Sequence, residues 1–248
     1  MLFSGQGKLY IGVRQGNGDP GAFRHVGNAR DLIVALTTTT LEHKESVTGQ
    51  RLTDARLITE KKTAVNFTLD DFQIDNLALA LFGTKATETG SSVTAEAFVN
   101  PVAVGDYVRT KFPEISAVVI KDSAGTPATL VLGTDYEITS AKHGTVKFLN
   151  LGAYTQPFKI DYTYGTHDHV PMFNAAAPER WLKFDGLNTA DTDKEVLVEL
   201  YRVRLDPLAE LALITDDFGG LALAGSALFD DTKVADAYLG QFGRFVHI

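Results

Sequence analysis

Three kinds of short motif in this 248-residue chain could do chemistry. His167-Asp168-His169 puts two imidazoles on one face of an extended segment and a carboxylate on the other, the start of a metal site. A third ligand is missing, because His25, His43, His143 and His247 are scattered without ligand spacing. Gly16-Asn17-Gly18-Asp19-Pro20-Gly21 has the spacing of a dinucleotide fingerprint and follows a strand-like segment. That fingerprint works only where its glycines open a helix whose N-terminus receives a pyrophosphate. Here Pro20 interrupts it, and residues 22–34 have no helical periodicity, so a loop is expected. The carboxylate pairs Asp70-Asp71, Asp216-Asp217 and Asp230-Asp231 could serve acid–base chemistry or a hard cation. Each has a simpler use: capping a helix, preceding a glycine turn, ending a strand. No nucleophile stands beside a base. The expectation is a protein with no catalytic residue, no metal and no cofactor.

The totals narrow the classes further. A 44% apolar content can build sizeable cores, in one large domain or two ordinary ones. Acidic residues outnumber basic ones by 31 to 23, a net charge of −8 that argues against a dedicated sequence-reading nucleic-acid binder. With no cysteine there are no disulfides, thiolate metal sites or cysteine nucleophiles, which suits a reducing compartment. Residues 1–10 show no signal-peptide pattern, and no apolar run approaches the roughly 18 to 20 residues of a membrane span. A soluble protein made in the cytosol, without membrane insertion, is expected.

The elements that would carry these residues are mostly strands. Lys8–Arg14 reads as a strand ending in a turn cluster. Asp31–Ser46 and Arg56–Leu69 read as two long hairpin partners. In the second, Thr63, Val65, Phe67 and Leu69 alternate with Lys62, Ala64, Asn66 and Thr68, which predicts one dry face and one wet face of small polar residues. Ile74, Leu77, Ala78, Leu81 and Phe82 fall on one face of a helix, with Asp70 as expected cap, Gln73 as its reciprocal partner and Gly83 as the left-handed stop.

From about Ala86 the character changes. A Thr/Ser/Gly/Glu linker leads into short β-runs at the spacing of a small sandwich: residues 105–112, 116–122, 128–133, 135–139, 144–150 and 158–165. Tyr136–Phe148 reads as a hairpin turning at His143-Gly144. Residues 86–170 are expected to be an inserted immunoglobulin-like domain, and residues 1–85 with 171–248 a discontinuous host domain. Trp181, the only tryptophan, is expected as a core anchor where the chain re-enters the host. Asp206–Ile214 reads two ways: a helix with Asp206 as cap and Pro207 at its first position, or an edge strand.

Residues 41–63, LEHKESVTGQRLTDARLITEKKT, are the most charged stretch and lie between the two long strands. A hairpin arm with a mixed-charge tip, the helix after it, a removable insertion and the strands at Val196–Asp231 together resemble the major tail tube protein of long-tailed bacteriophages. The resemblance is best over Thr40–Gly83 and Val196–Asp231 and covers about the two thirds of the chain outside the insertion.

The resemblance implies a mainly β fold: a tail-tube β-sandwich or barrel with one flanking helix and a long hairpin arm. It also implies subunits that form rings, usually of six, stacked into a conduit for genome ejection. The partners implied are further copies of the chain and the tape measure, tail terminator and distal tail proteins, in a virion tail assembled in the host cytoplasm. Glu42, Lys44, Glu45, Arg51, Asp54, Arg56, Glu60 and Lys61 are then candidates for inter-subunit contact, because opposite charges steer docking and fix register. Ala64, Asn66 and Thr68 are candidates for the lumen lining, past which DNA would move without specific binding, repelled by a negative surface. The alternative is a glycan-binding or adhesive β-sandwich module on a virion surface.

Overall fold

The computed structural model describes residues 2–99, 101–177, 179–192, 194–233 and 236–248. Among the described residues the chain is mainly β, with a single α-helix and several separate sheets. In order the elements are β1 (Gly5–Arg14), β2 (Pro20–His25), β3 (Ala29–Lys44), β4 (Thr53–Leu69), α1 (Ile74–Ala80), β5 (Ala86–Glu88), β6 (Ser91–Ala97), β7 (Tyr107–Arg109) and β8 (Ile115–Lys121). They continue with β9 (Tyr136–Ser140), β10 (Thr145–Phe148), β11 (Lys159–Tyr164), β12 (His167–His169), β13 (Glu179–Asn188), β14 (Lys194–Leu205), β15 (Leu221–Ala227) and β16 (Gly243–His247). Two compact units result: Met1–Lys85 with Val170–Ile248, and Ala86–His169.

The first unit is built on one antiparallel sheet in the order β2-β1-β13-β14-β15-β4-β3, with β16 also paired to β14. Leu9 and Ile11 near one end of that order share a core with Val65, Phe67 and Leu69 near the other, together with Leu182, Leu200, Val203, Leu205, Leu221 and Leu223. The sheet therefore curls, but it does not close. No ladder joins β2 to β3, so the barrel expected from sequence is absent and both strands remain edges. An apolar groove of about 660 Å³ opens between the β1/β14/β16 side and β3, lined by residues that include Leu32, Val34, Leu36, Phe184, Phe242 and Phe245.

The alternation in β4 is realised: Thr63, Val65, Phe67 and Leu69 are buried while Asn66 is exposed. In β15 it is complete, with Leu221, Leu223, Gly225 and Ala227 inward and Ala222, Ala224 and Ser226 outward. Trp181 is buried and packs on Tyr201, with ring centroids 4.7 Å apart.

Three local expectations are corrected. Helix α1 has no side-chain cap; Gln73, not Asp70, is its N-cap residue, and Asp70 instead pairs with Arg30 at 2.8 Å and accepts from Asn28 at 2.6 Å. The left-handed residue after the helix is Phe82 (φ 49°), not Gly83. Gly83 serves a close approach, since a Cβ there would lie 2.2 Å from Val170 Cγ1. Asp206–Ile214 is neither helix nor strand. Its Leu208 N–H donates to Ala80 O and its Asp206 N–H to Ala224 O, and Leu208 and Leu211 pack against the core, so tertiary contacts fix the path of the segment.

The second unit holds two three-stranded antiparallel sheets, β7-β10-β9 and β6-β11-β8, around one core that includes Phe98, Val108, Ile120, Val146, Phe148, Phe158 and Ile160. Residues 128–133, expected as a strand, form only isolated bridges, Thr129 to Lys121 and Leu132 to Tyr136. Buried Asp122 and Asp135 organise the loops there. Asp135 accepts from Val131 N–H, Asn150 Nδ2 and Tyr154 OH, which hold its carboxyl below the usual range against the effect of burial. Strands β5 and β12 pair as a two-stranded stem, with His169 opposite Ala86 and His167 opposite Glu88.

Candidate assembly surface

The candidate surface begins where β3 and β4 outrun the core. Every residue from Thr53 to Lys62, the first ten of β4, is exposed. At about 3.3 Å per residue, that is a ribbon roughly 33 Å long. The ladder continues along it to Lys44 opposite Thr53. The charged stretch is therefore mostly strand rather than loop. Of the eight contact candidates, only Glu45 and Arg51 lie in the turn; Glu42 and Lys44 are on β3, and Asp54, Arg56, Glu60 and Lys61 on β4.

Glu42 stands opposite Arg56 in the ladder with no ion pair between them, while other charges are satisfied within the arm. His43 Nδ1 and Asp54 Oδ1 are 2.6 Å apart, and Lys62 reaches Glu60 at 3.0 Å. Glu45 is a turn builder: its carboxylate accepts from the Thr48 hydroxyl and from the backbone N–H of Thr48 and Val47, which together hold it below the usual carboxylate range. Among the described residues no ion pair involves Lys44, Arg51, Arg56 or Lys61, so the arm presents free cations in a chain of net charge −8.

What sequence reasoning missed is the apolar surface beside those charges. Leu36 is 79% exposed and Val47 93%, and Leu41, Leu52, Leu57 and Ile58 are all more than half exposed. Leu41 and Leu57 face each other directly across the ribbon. Leu57 and Ile58 are consecutive and so lie on opposite faces of β4, which leaves both faces of the ribbon partly apolar. A two-stranded ribbon alone is marginal in water, and this many exposed apolar side chains along it mark an interaction site.

The lumen candidates lie on the solvent face of the sheet, in rows shared with both neighbouring strands. Asp31, Thr68 and Ala222 form one row, Ile33, Asn66 and Ala224 the next, and Ala35, Ala64 and Ser226 the third. Apart from Ile33, no side chain there is larger than Asn66, and none is cationic. Alanine is depleted in strands because it packs poorly on a pleated surface, so an exposed face this bare is unusual.

An ion network with a buried centre at Asp230 ties the first unit together. Arg14 donates to Asp230, approaches Glu179 at 3.6 Å, and Glu179 accepts from Arg202 at 2.7 Å. Burial alone would raise the Asp230 carboxyl; the Arg14 guanidinium and the Thr232 hydroxyl and N–H outweigh it and hold it at about 2. Asp230 is thus a structural anchor. In the second unit, the His167 and His169 rings lie 6.1 Å apart, His167 Nδ1 sits 3.0 Å from Gly165 O, and Asp168 accepts from the Thr87 hydroxyl. Among the described residues, no three His, Cys, Asp or Glu side chains converge as a metal site, and no helix is long and apolar enough to cross a membrane.

No curated protein matches the chain. One family model spans residues 2–246. On that extent of match the chain belongs to the family described as protein of unknown function UCP028589.

Proposed function

We propose that this protein is a structural subunit that assembles with copies of itself into stacked rings, in the manner of a bacteriophage tail tube. The observation that carries this reading is the arm: a ribbon of about ten residues per strand beyond the core, with apolar side chains and unpaired cations along it. Burying such a ribbon against another copy removes apolar area at roughly 25 cal/mol per Å² and supplies the covering layer a lone hairpin lacks. The open edges β2 and β3 favour the same reading, because the sheet a single chain leaves unclosed can continue through its neighbours. The bare Ala/Ser/Asn/Thr face suits a channel wall that gives a passing polyanion neither cations to bind nor aromatic rings to stack on. In this reading the second unit is an immunoglobulin-like surface module, and the tube's other partners are the tape measure, terminator and distal tail proteins.

The test is direct. Purified protein at rising concentration, examined by sedimentation velocity and negative-stain microscopy, is expected to form rings or tubes. A strict monomer at millimolar concentration overturns the proposal.

A further inference from the structure

The arm accounts for one half of a contact, and a second exposed segment has the properties of the other half. Residues 206–220 carry no helix or strand, yet they are held at fixed points. Asp206 N–H donates to Ala224 O at 2.8 Å, Leu208 N–H to Ala80 O at 2.9 Å, and Leu208 and Leu211 pack against the core. Between those inward leucines and β15, Leu213 is 82% exposed, Ile214 97% and Phe218 95%. Three large apolar side chains so fully in water, on a segment tethered at its base, form a docking surface without its occupant.

The charges identify the occupant. No lysine, arginine or histidine occurs from Leu205 to Thr232. Asp206, Glu210, Asp216 and Asp217 are exposed, and among the described residues no ion pair involves any of the four. The matching surface must therefore be apolar and cationic. The distal arm has apolar Leu41, Leu57 and Ile58 beside Lys44, Arg51, Arg56 and Lys61, and of its four acids Glu45 is spent on the turn, Asp54 on His43 and Glu60 on Lys62, which leaves Glu42 against those four cations. Oppositely charged apolar patches steer encounter and set register, and burying them together removes the exposed apolar area of both.

The arm that docks cannot be the chain's own. A Cβ on Gly220 would lie 2.8 Å from Thr68 Cγ2, so the segment ends at the base of the ribbon. The ladder runs from there to Thr53, fifteen residues and about 50 Å along β4. Tip and receptor thus sit at opposite ends of one continuous ladder, and a contact between unlike surfaces on successive copies propagates head to tail. We infer that residues 206–220 are the receptor for the β3–β4 arm of a second copy, with Leu213, Ile214 and Phe218 packing on the arm's leucines and Asp216 and Asp217 meeting its cations.

This rests on the self-assembly reading, and the experiment separates the two. Wild-type protein, the loop variant Asp216→Lys/Asp217→Lys, the arm variant Arg51→Glu/Arg56→Glu and the fourfold combination are compared by sedimentation, with thermal melts to check folding. The expectation is that each double variant lowers the assembled fraction at least tenfold and that the fourfold variant, in which the charges are exchanged, restores it. A wild type that never assembles defeats the self-assembly reading itself. A wild type that assembles, with an undiminished loop variant or no recovery in the fourfold one, defeats only the pairing of arm with loop. Where a variant fails to fold, zero-length carbodiimide coupling of mixed isotope-labelled wild-type copies decides: inter-copy links from Lys44 or Lys61 to Glu210, Asp216 or Asp217 support the pairing, and assembled protein without them overturns it.

Discussion

The Arg14 guanidinium donates from Nε and a terminal nitrogen to the two carboxylate oxygens of Asp230, at 3.0 and 2.9 Å, joining residues 216 positions apart. Asp230 is wholly buried, so the pair is a bidentate, desolvated contact whose loss leaves a buried cation. Asp230→Asn is expected to lower unfolding free energy by about 3 kcal/mol, read from urea melts at neutral pH. The folded carboxyl titrates at about 2, below its ordinary 3.8. Its contribution is therefore whole above about pH 4 and is lost as pH falls toward 2, about 2 kcal/mol in all. The Asn variant should lack that part of the acid slope, and an unchanged slope would remove Asp230 from the account.

Asn76 is fully buried in α1; its Nδ2 donates to Val26 O at 2.8 Å and Asp71 O at 2.9 Å, and its Oδ1 accepts from Arg24 at 2.8 Å. Asn76→Ala abandons two carbonyls and a guanidinium at once. A loss of about 3 kcal/mol is expected, measured by chemical denaturation. A cost under about 0.5 kcal/mol would mean water replaces the amide freely.

Leu41 and Leu57 face each other on a part of the arm that the core does not reach. Leu41→Ser with Leu57→Ser is expected to leave the thermal midpoint within a few degrees while raising the concentration needed for assembly at least tenfold. Sedimentation across a dilution series reads the second quantity, and unaltered assembly would remove the leucines from the interface.

His167 stands opposite Glu88 at the far end of the β5–β12 stem. Replacing residues 89–166 with Asn-Gly, a pair suited to a tight two-residue hairpin turn, closes the stem without stretching it. The shortened chain is expected to melt cooperatively and to keep the assembly behaviour of the full chain. Folded but non-assembling protein would give the second unit a part in the contact.

The local physics of the first unit was legible where burial imposes a period. The alternation of Thr63, Val65, Phe67 and Leu69 is visible in sequence because one face of β4 is dry. Helix α1 was legible as a helix, but its ends were not. Gly83 looks like a left-handed stop, yet it is glycine because Val170 and Pro171 press against it. The path of Asp206–Ile214 depends on Ala80, more than a hundred residues upstream of Leu208, and on Ala224, 18 residues downstream of Asp206. The charges of the arm were legible as a cluster; that His43 spends itself on Asp54 and Glu45 on its own turn was not, because such pairing follows from register. The apolar residues of the arm were not legible because Leu41, Leu57 and Ile58 follow no period of two, and only the fold shows that no layer covers them. Arg14 and Asp230 are too far apart in sequence for spacing to connect them.

The arm is also a ruler. A β-ladder advances by a fixed rise, so the distance from the Thr68 row to the tip is written in a count of residues. That length cannot be tuned continuously. Adding one residue to each strand would turn Leu41 and Leu57 to the opposite face, whereas adding two restores them about 7 Å farther out. Two irregularities in the upper ladder, between Thr39 and Thr40 and between His43 and Lys44, leave Thr59 and Asp54 without partners in register, half-steps already taken. Any change in the reach of this arm must therefore come in paired steps, matched on both strands, or be absorbed by such a bulge.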